Sequence, residues 1–154
     1  MSDRLFAVST RFLDVYEKPE TEFVAGFIGS PAMNFFDAAL SQDGGEISLP
    51  GGGSLKLSDG GVPEYAGREI KLGIRPEHLK VVESEKGAIQ LRVNHVEALG
   101  ADTLVHGRLG EHGSFLTLRV SDVCRFKKNT VIPLEVSAKN LHLFDKEKGF
   151  RLGI

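Results

Sequence analysis

From Ile47 to Val136 the apolar residues of this chain recur mostly at every second position. Ile47 and Leu49 alternate with polar neighbours, as do Leu55 and Leu57. Ile70, Leu72 and Ile74 alternate with Glu69, Lys71, Gly73 and Arg75. Ile89, Leu91 and Val93 keep the same step, and the phase then shifts to Val96, the sign of a bulge. Leu116, Leu118 and Val120 follow, then Ile132, Leu134 and Val136. Successive side chains of a strand point to opposite faces, so this spacing buries one face of each segment and wets the other. Asp43-Gly44-Gly45 and Asp59-Gly60-Gly61 supply turn chemistry between such runs. The 18 glycines are spread along the chain, as many tight turns require. The pattern predicts a mainly β protein built as a small barrel or sandwich.

The leading segment, residues 1–31, reads differently. Phe23 and Phe27 stand four apart, as do Val24 and Ile28, which predicts a short helix over Glu20–Ile28 with these residues on one apolar flank. Gly29 and Pro31 end it. Asp14-Val15-Tyr16-Glu17-Lys18 predicts a further helical turn, stopped by Pro19. Residues 32–154 are then the β domain, with a sub-boundary at the polar run Ser84-Glu85-Lys86-Gly87.

Charge and composition exclude several functions. The net charge is 19 − 21 = −2, which gives no electrostatic reason to bind nucleic acid or an anionic membrane. Cys124 is the single cysteine, so no intrachain disulfide forms, as suits a reducing compartment. No run approaches the roughly 20 apolar residues needed to cross a bilayer, and Met1-Ser2-Asp3-Arg4 does not open a signal peptide. These features predict a soluble, cytoplasmic protein.

Catalytic motifs do not assemble. A phosphate-cradling loop needs Gly-Lys-Ser/Thr at the start of a helix, and the chain has no Gly-Lys dipeptide. Gly51-Gly52-Gly53-Ser54-Leu55-Lys56 reads as a β-turn. Leu57-Ser58-Asp59-Gly60-Gly61 echoes the signature of ATP-binding cassette proteins, but Val62 and Pro63 follow where a helix should start, so it too reads as a turn. No Asp-Glu pair exists to hold magnesium and orient water. The histidines, His78, His95, His106, His112 and His142, lack the i, i+4 spacing of a helical zinc site. His142 alternates with Leu141 and Leu143 and reads as the rim residue of a strand. No cofactor or metal is predicted in this chain, and it is not predicted to be an enzyme.

Three stretches carry a resemblance. They are Val15-Tyr16-Glu17-Lys18-Pro19 with Phe23 to Asn34, then Gly73-Ile74-Arg75-Pro76-Glu77-His78-Leu79, then Leu141-His142-Leu143-Phe144-Asp145. Together they resemble the C-terminal regulatory part of the ATP-binding subunit of a bacterial sugar-type ABC importer, without its nucleotide-binding domain. Gly61 to Arg68 and Leu99 to Arg108 are most similar to the subunits that energise sn-glycerol-3-phosphate uptake. The chain departs from that pattern between Asp3-Arg4-Leu5 and Asp14, where only eight or so residues replace a longer stretch. The resemblance implies an OB-like, transport-associated β domain, with the leading helical segment a remnant of the end of the ATPase domain. It implies a regulatory and dimerisation role, a homodimer, and the ATPase domain and importer permease subunits as partners in the full-length setting, peripheral to the inner face of the cell membrane. ATP and magnesium belong to the full-length subunit. A regulatory protein or a small anion is a further implied partner.

Within this frame Asp102, Leu104, His106 and Arg108 are the candidate dimer and regulatory surface. Gly73, Arg75, Pro76, Glu77 and His78 are the candidate structural corner, with Pro76 ending backbone pairing and Glu77 placed to pair with Arg75 or nearby N–H groups. The alternative function is oxyanion sensing, with Arg68, Arg75, Arg92 and Arg108 as bidentate donors.

Overall fold

The computed structural model describes residues 16–27, 31–50, 53–58, 60–83, 87–110, 113–121 and 125–152. Ser84–Lys86, His112, Cys124 and the Asp14-Val15 part of the leading segment lie outside the described residues. The described chain is mainly β, with a short helix, α1 (Glu22–Phe27), and helical residues Tyr16 and Glu17 before Pro19, within the helical turn the sequence predicts.

Two antiparallel sheets form. The first contains β1 (Asn34–Leu40), β2 (Glu46–Ser48), β3 (Ser54–Lys56), β4 (Glu69–Ile74), β10 (His142–Asp145) and β11 (Arg151–Leu152), in the order β11-β10-β4-β1-β2-β3. The second contains β5 (Lys80–Val81), β6 (Ile89–Leu99), β7 (Asp102–Leu109), β8 (Phe115–Val120) and β9 (Val131–Glu135), in the order β5-β9-β6-β7-β8. The alternating residues face one another across a shared core. Phe36, Ile47, Leu72 and Ile74 from the first sheet join Leu91, Val93, Leu118 and Leu134 from the second in one buried cluster. The change of phase after Val93 is a register shift between Val93 and His95 in the β6–β7 pair. It swings the outer half of β6 so that Val96 turns toward the core.

The turn readings near β2 and β3 hold where the residues are described. The Leu49 amide bonds the Gly53 carbonyl, and the Gly61 amide bonds the Ser58 carbonyl, while Gly51, Gly52 and Asp59 lie outside the described residues.

A second, smaller cluster lies on the outer face of the first sheet. Phe35 and Phe144 meet edge to face, 5.9 Å between ring centroids. Met33 and Ala25 of α1 cover them. The Thr21 hydroxyl caps α1 by accepting the Val24 amide at 3.1 Å. The helix starts at Glu22 rather than Glu20, Ile28 and Gly29 lie outside the described residues, and Phe23 is 81% exposed rather than buried on a shared flank. The buried anchor of α1 is Ala25, whose small side chain lets the helix sit close to the two aromatic rings. The leading segment is also bonded to the β10–β11 hairpin: the Arg151 amide donates to the Glu20 carbonyl, and the Glu22 amide to the Gly149 carbonyl.

The sheets are stitched at one side by Asn34. Its side chain is 9% exposed and behaves like a strand residue for β8, donating to the Thr117 carbonyl and accepting the Thr117 amide, each at 2.8 Å. This satisfies part of the open edge of β8.

Candidate functional site

β7 carries the candidate surface residues in one column. Its burial alternates so that Thr103, Val105, Gly107 and Leu109 face the core while Asp102, His106 and Arg108 face outward. Leu104 shares that outward column but is only 7% exposed. It lies between Glu97 of β6 and Arg119 of β8 in the strand register, and those long side chains flank it. Val105 and Leu109 belong to the core and leave no apolar area for a partner.

The residues around this column are bonded to one another. Asp102 accepts the Arg119 guanidinium, at 2.9 Å from Nε. The His106 ring stacks on His95, with centroids 5.8 Å apart, and its Nδ1 lies 3.0 Å from the Thr117 hydroxyl. Glu97 lies 3.4 Å from His106 Nε2. The Arg108 guanidinium lies over the Phe115 ring at 3.9 Å. Arg92 stands opposite Arg108, and Val131 opposite Arg92. The outer face of β9-β6-β7-β8 thus ends in a row of Val131, Arg92, Arg108 and Phe115, in which Phe115 is 56% and Val131 45% exposed. Arginine and aromatic side chains with exposed apolar flanks are the composition of interface anchors. The sequence reading named Arg108 but missed Phe115 and Val131. Their signal was present as apolar residues out of phase with the core-facing Leu116 and Ile132.

The corner residues form a separate, interior constellation. Gly73 ends up buried in β4, and Arg75 to His78 carry the chain from β4 in one sheet to β5 in the other. Pro76 opens the 3-10 turn Pro76–His78 and is buried. Arg75 is 1% exposed. Its guanidinium lies over the Tyr16 ring at 3.9 Å and donates to the Tyr16 carbonyl at 2.9 Å. The Tyr16 hydroxyl donates to Glu77 at 2.5 Å. Tyr16 is therefore held by ring, carbonyl and hydroxyl. Burial pushes the Arg75 pKa down, and Tyr16 and Glu77 oppose that. Burial also lowers the His78 pKa.

His142 is a correction to the sequence reading. It is 4% exposed, not a strand-rim residue, because the leading segment and Arg151 cover the outer face of β10. Arg151 Nη1 donates to His142 Nδ1 at 2.9 Å, which requires that nitrogen to be unprotonated. The His142 pKa is pushed down to about 4, first by burial and then by the charges of Arg151, Arg75 and His78. The unfolded chain takes up this proton near pH 6.5. Stability from the neutral imidazole is thus full above pH 6.5 and is lost as pH falls through about 4. The loss approaches about 3 kcal/mol at the acid end. The expected result is a melting temperature that falls between pH 7 and 4.5, with a smaller fall in His142→Gln, which keeps an acceptor for Arg151. His142 ring shifts in an NMR titration should stay constant from pH 7 to 5.5, and movement there overturns the assignment.

Among the described residues no group of three or more His, Cys, Asp or Glu side chains could hold a metal ion. Among them no helix is long and apolar enough to cross a membrane.

Residues 29–79 match the MalK OB fold domain, and residues 72–144 match the TOBE domain. The sn-glycerol-3-phosphate import ATP-binding protein UgpC of Shigella boydii serotype 4 (strain Sb227) is 43% identical over 140 residues, 91% of this chain and 38% of that protein. UgpC of Escherichia coli (strain K12) is 42% identical over the same 140 residues, with the same coverage. The chain spans 38% of the length of these relatives. Among solved structures, the cytoplasmic molybdate-binding protein ModG with molybdate bound shares the fold at a TM-score of 0.54 and 18% identity, over 71% of this chain and 94% of that one. This chain therefore carries a MalK OB fold domain and a TOBE domain, and it is similar to the C-terminal region of the UgpC import ATP-binding proteins.

Proposed function

We propose that this chain is the regulatory and dimerisation domain of an ABC importer ATP-binding subunit serving carbohydrate or sn-glycerol-3-phosphate uptake, and is not itself catalytic. Its partners are a second copy, the ATPase domain and the permease subunits, at the cytoplasmic side of the membrane. The observation that carries this reading is the outer face of β6, β7 and β8. A family match places the chain among importer domains, and this face offers Arg108 and Phe115 as exposed anchors beside a bonded polar rim. Asp102 is a poor probe of self-association because it already holds Arg119. Arg108→Glu is better, since Arg108 is exposed and its loss leaves the core intact. Light scattering at high micromolar concentration should give twice the chain mass, and Arg108→Glu should raise the dissociation constant about tenfold with an unchanged melting temperature. The wild type running as a monomer, with no copurifying permease, overturns the proposal.

A second reading is oxyanion sensing. It draws on the molybdate bound by ModG and on the cross-strand pair Arg92 and Arg108. Arg75 is not available to it, being buried under Tyr16, and Arg68 lies over Tyr65 instead. Calorimetric titration with phosphate, glycerol 3-phosphate and molybdate separates this reading from simple dimerisation, for which no heat of anion binding is expected.

A further inference from the structure

A cleft of about 320 Å3 opens between the leading segment, the loop from Leu57 to Glu64, the 3-10 turn Ala138–Asn140 and β11. It is far from the outward column of β7 in the sheet order, on the other sheet. Its volume is at the lower end of the roughly 300–1,000 Å3 of small-molecule sites. The floor is apolar, made by Val62, Leu141, Leu143 and Leu152, each under 9% exposed. The rim is charged: among its described residues Lys18, Lys139 and Arg151 stand against Glu17 and Glu64, three cations to two anions.

Arg151 is the unusual member. Nη1 donates to His142 Nδ1 at 2.9 Å and reaches the Pro19 carbonyl at 3.5 Å. Both acceptors are neutral. Arg151 has no carboxylate in an ion pair among the described residues, and its buried Nε has no hydrogen-bond partner among them. A half-buried guanidinium without a counter-charge is costly, and an anion able to take a second hydrogen bond offsets that cost. Burial lowers the Arg151 pKa, as this placement demands.

We propose that this cleft binds a small organic monoanion, with its carboxylate head at Arg151, Lys139 and Lys18 and a short apolar body on Leu141, Leu143 and Leu152. Arg151, Lys139 and Lys18 attract a negative head group, and the nearby Glu17 and Glu64 disfavour a dianion. The site lies within one chain, so it stands or falls separately from the dimer.

The test is titration of the whole chain with pentanoate, followed by methyl NMR. The methyls of Leu57, Val62, Leu141, Leu143 and Leu152 should shift saturably, with a millimolar or tighter dissociation constant. Inorganic phosphate and 1-pentanol, which lack the apolar body and the charge respectively, should bind about tenfold more weakly or not at all. Arg151→Gln should weaken pentanoate about tenfold. Should that variant not fold, Lys139→Ala and Lys18→Ala carry the test, since both lysines are exposed, and each should weaken binding about threefold. Glu64→Gln should strengthen it. No saturable shift up to about 20 mM, 1-pentanol binding as tightly as pentanoate, or unchanged affinity in the lysine variants overturns the proposal.

Discussion

Gly73→Val should lower stability by about 3 kcal/mol, the upper part of the range for overpacking a core. A Cβ built at Gly73 would stand 2.5 Å from Met33 Sδ and 3.2 Å from ring carbons of both Phe35 and Phe144. Strand register explains the crowding: Gly73 is directly opposite Phe35 on one side and His142 on the other, so its missing side chain is the space in which the two rings meet. Met33 could move, but the aromatic pair and Ala25 above it cannot all do so without lifting α1. For a chain near this size each kcal/mol is worth about 2–4 °C, so a fall of roughly 10 °C is expected. Gly73→Ala should fall less, because only the first carbon is added. The outer sheet should suffer selectively: near-ultraviolet signals of the Phe35–Phe144 pair should weaken before the β signal does. A Gly73→Val protein that melts with the wild type overturns this account of the glycine.

Gly73 also shows where the sequence was readable and where it was not. Alternation revealed β4 and the faces of Ile70, Leu72 and Ile74, because a two-sided strand writes its burial directly into its spacing. The same rule located the bulge after Val93 and the core side of β8. It failed for His142, which alternates correctly yet is buried on what should be a wet face. That face is covered by the leading segment, and no local pattern reports a cover supplied from more than a hundred residues away. Phe23 failed for the converse reason: it projects away from the sheet, and Ala25 is the helix residue that packs against it. At the candidate surface, the outward phase of Asp102, His106 and Arg108 was legible. The burial of Leu104 was not, because it arises from its cross-strand neighbours on β6 and β8 rather than from its own strand's spacing. Glu77 was expected to pair with Arg75 or nearby N–H groups; its charge does support that of Arg75, and it also accepts the Tyr16 hydroxyl, a partner the sequence does not signal. That bond depends on where the leading segment places Tyr16, which no pattern within Gly73–Leu79 reports.

Arg75→Met should release the leading segment as well as destabilise the fold. Arg75 is among the largest fully buried side chains, and its guanidinium meets both the ring face and the carbonyl of Tyr16, with Glu77 also opposing its loss of charge. Methionine keeps much of the volume, so the loss is chiefly that of a desolvated cation–π contact and a charge-assisted hydrogen bond, together about 3 kcal/mol. Of the ring, carbonyl and hydroxyl contacts of Tyr16, the hydroxyl bond to Glu77 would then remain. Tyr16→Phe removes that remaining bond alone and should cost about 1 kcal/mol. Local release can be separated from general weakening by hydrogen exchange. The Glu22 amide is bonded to the Gly149 carbonyl and the Ala25 amide to the Thr21 carbonyl, so both report the docking of the segment. In Arg75→Met they should exchange at least about tenfold faster than core amides of β4 and β6, relative to wild type, because a sub-global opening affects only the unit that detaches. An unchanged melting temperature refutes the energetic claim. A lowered melting temperature with Glu22 and Ala25 as protected as the core refutes the clamp, and would leave Arg75 as a packing residue whose charge is incidental.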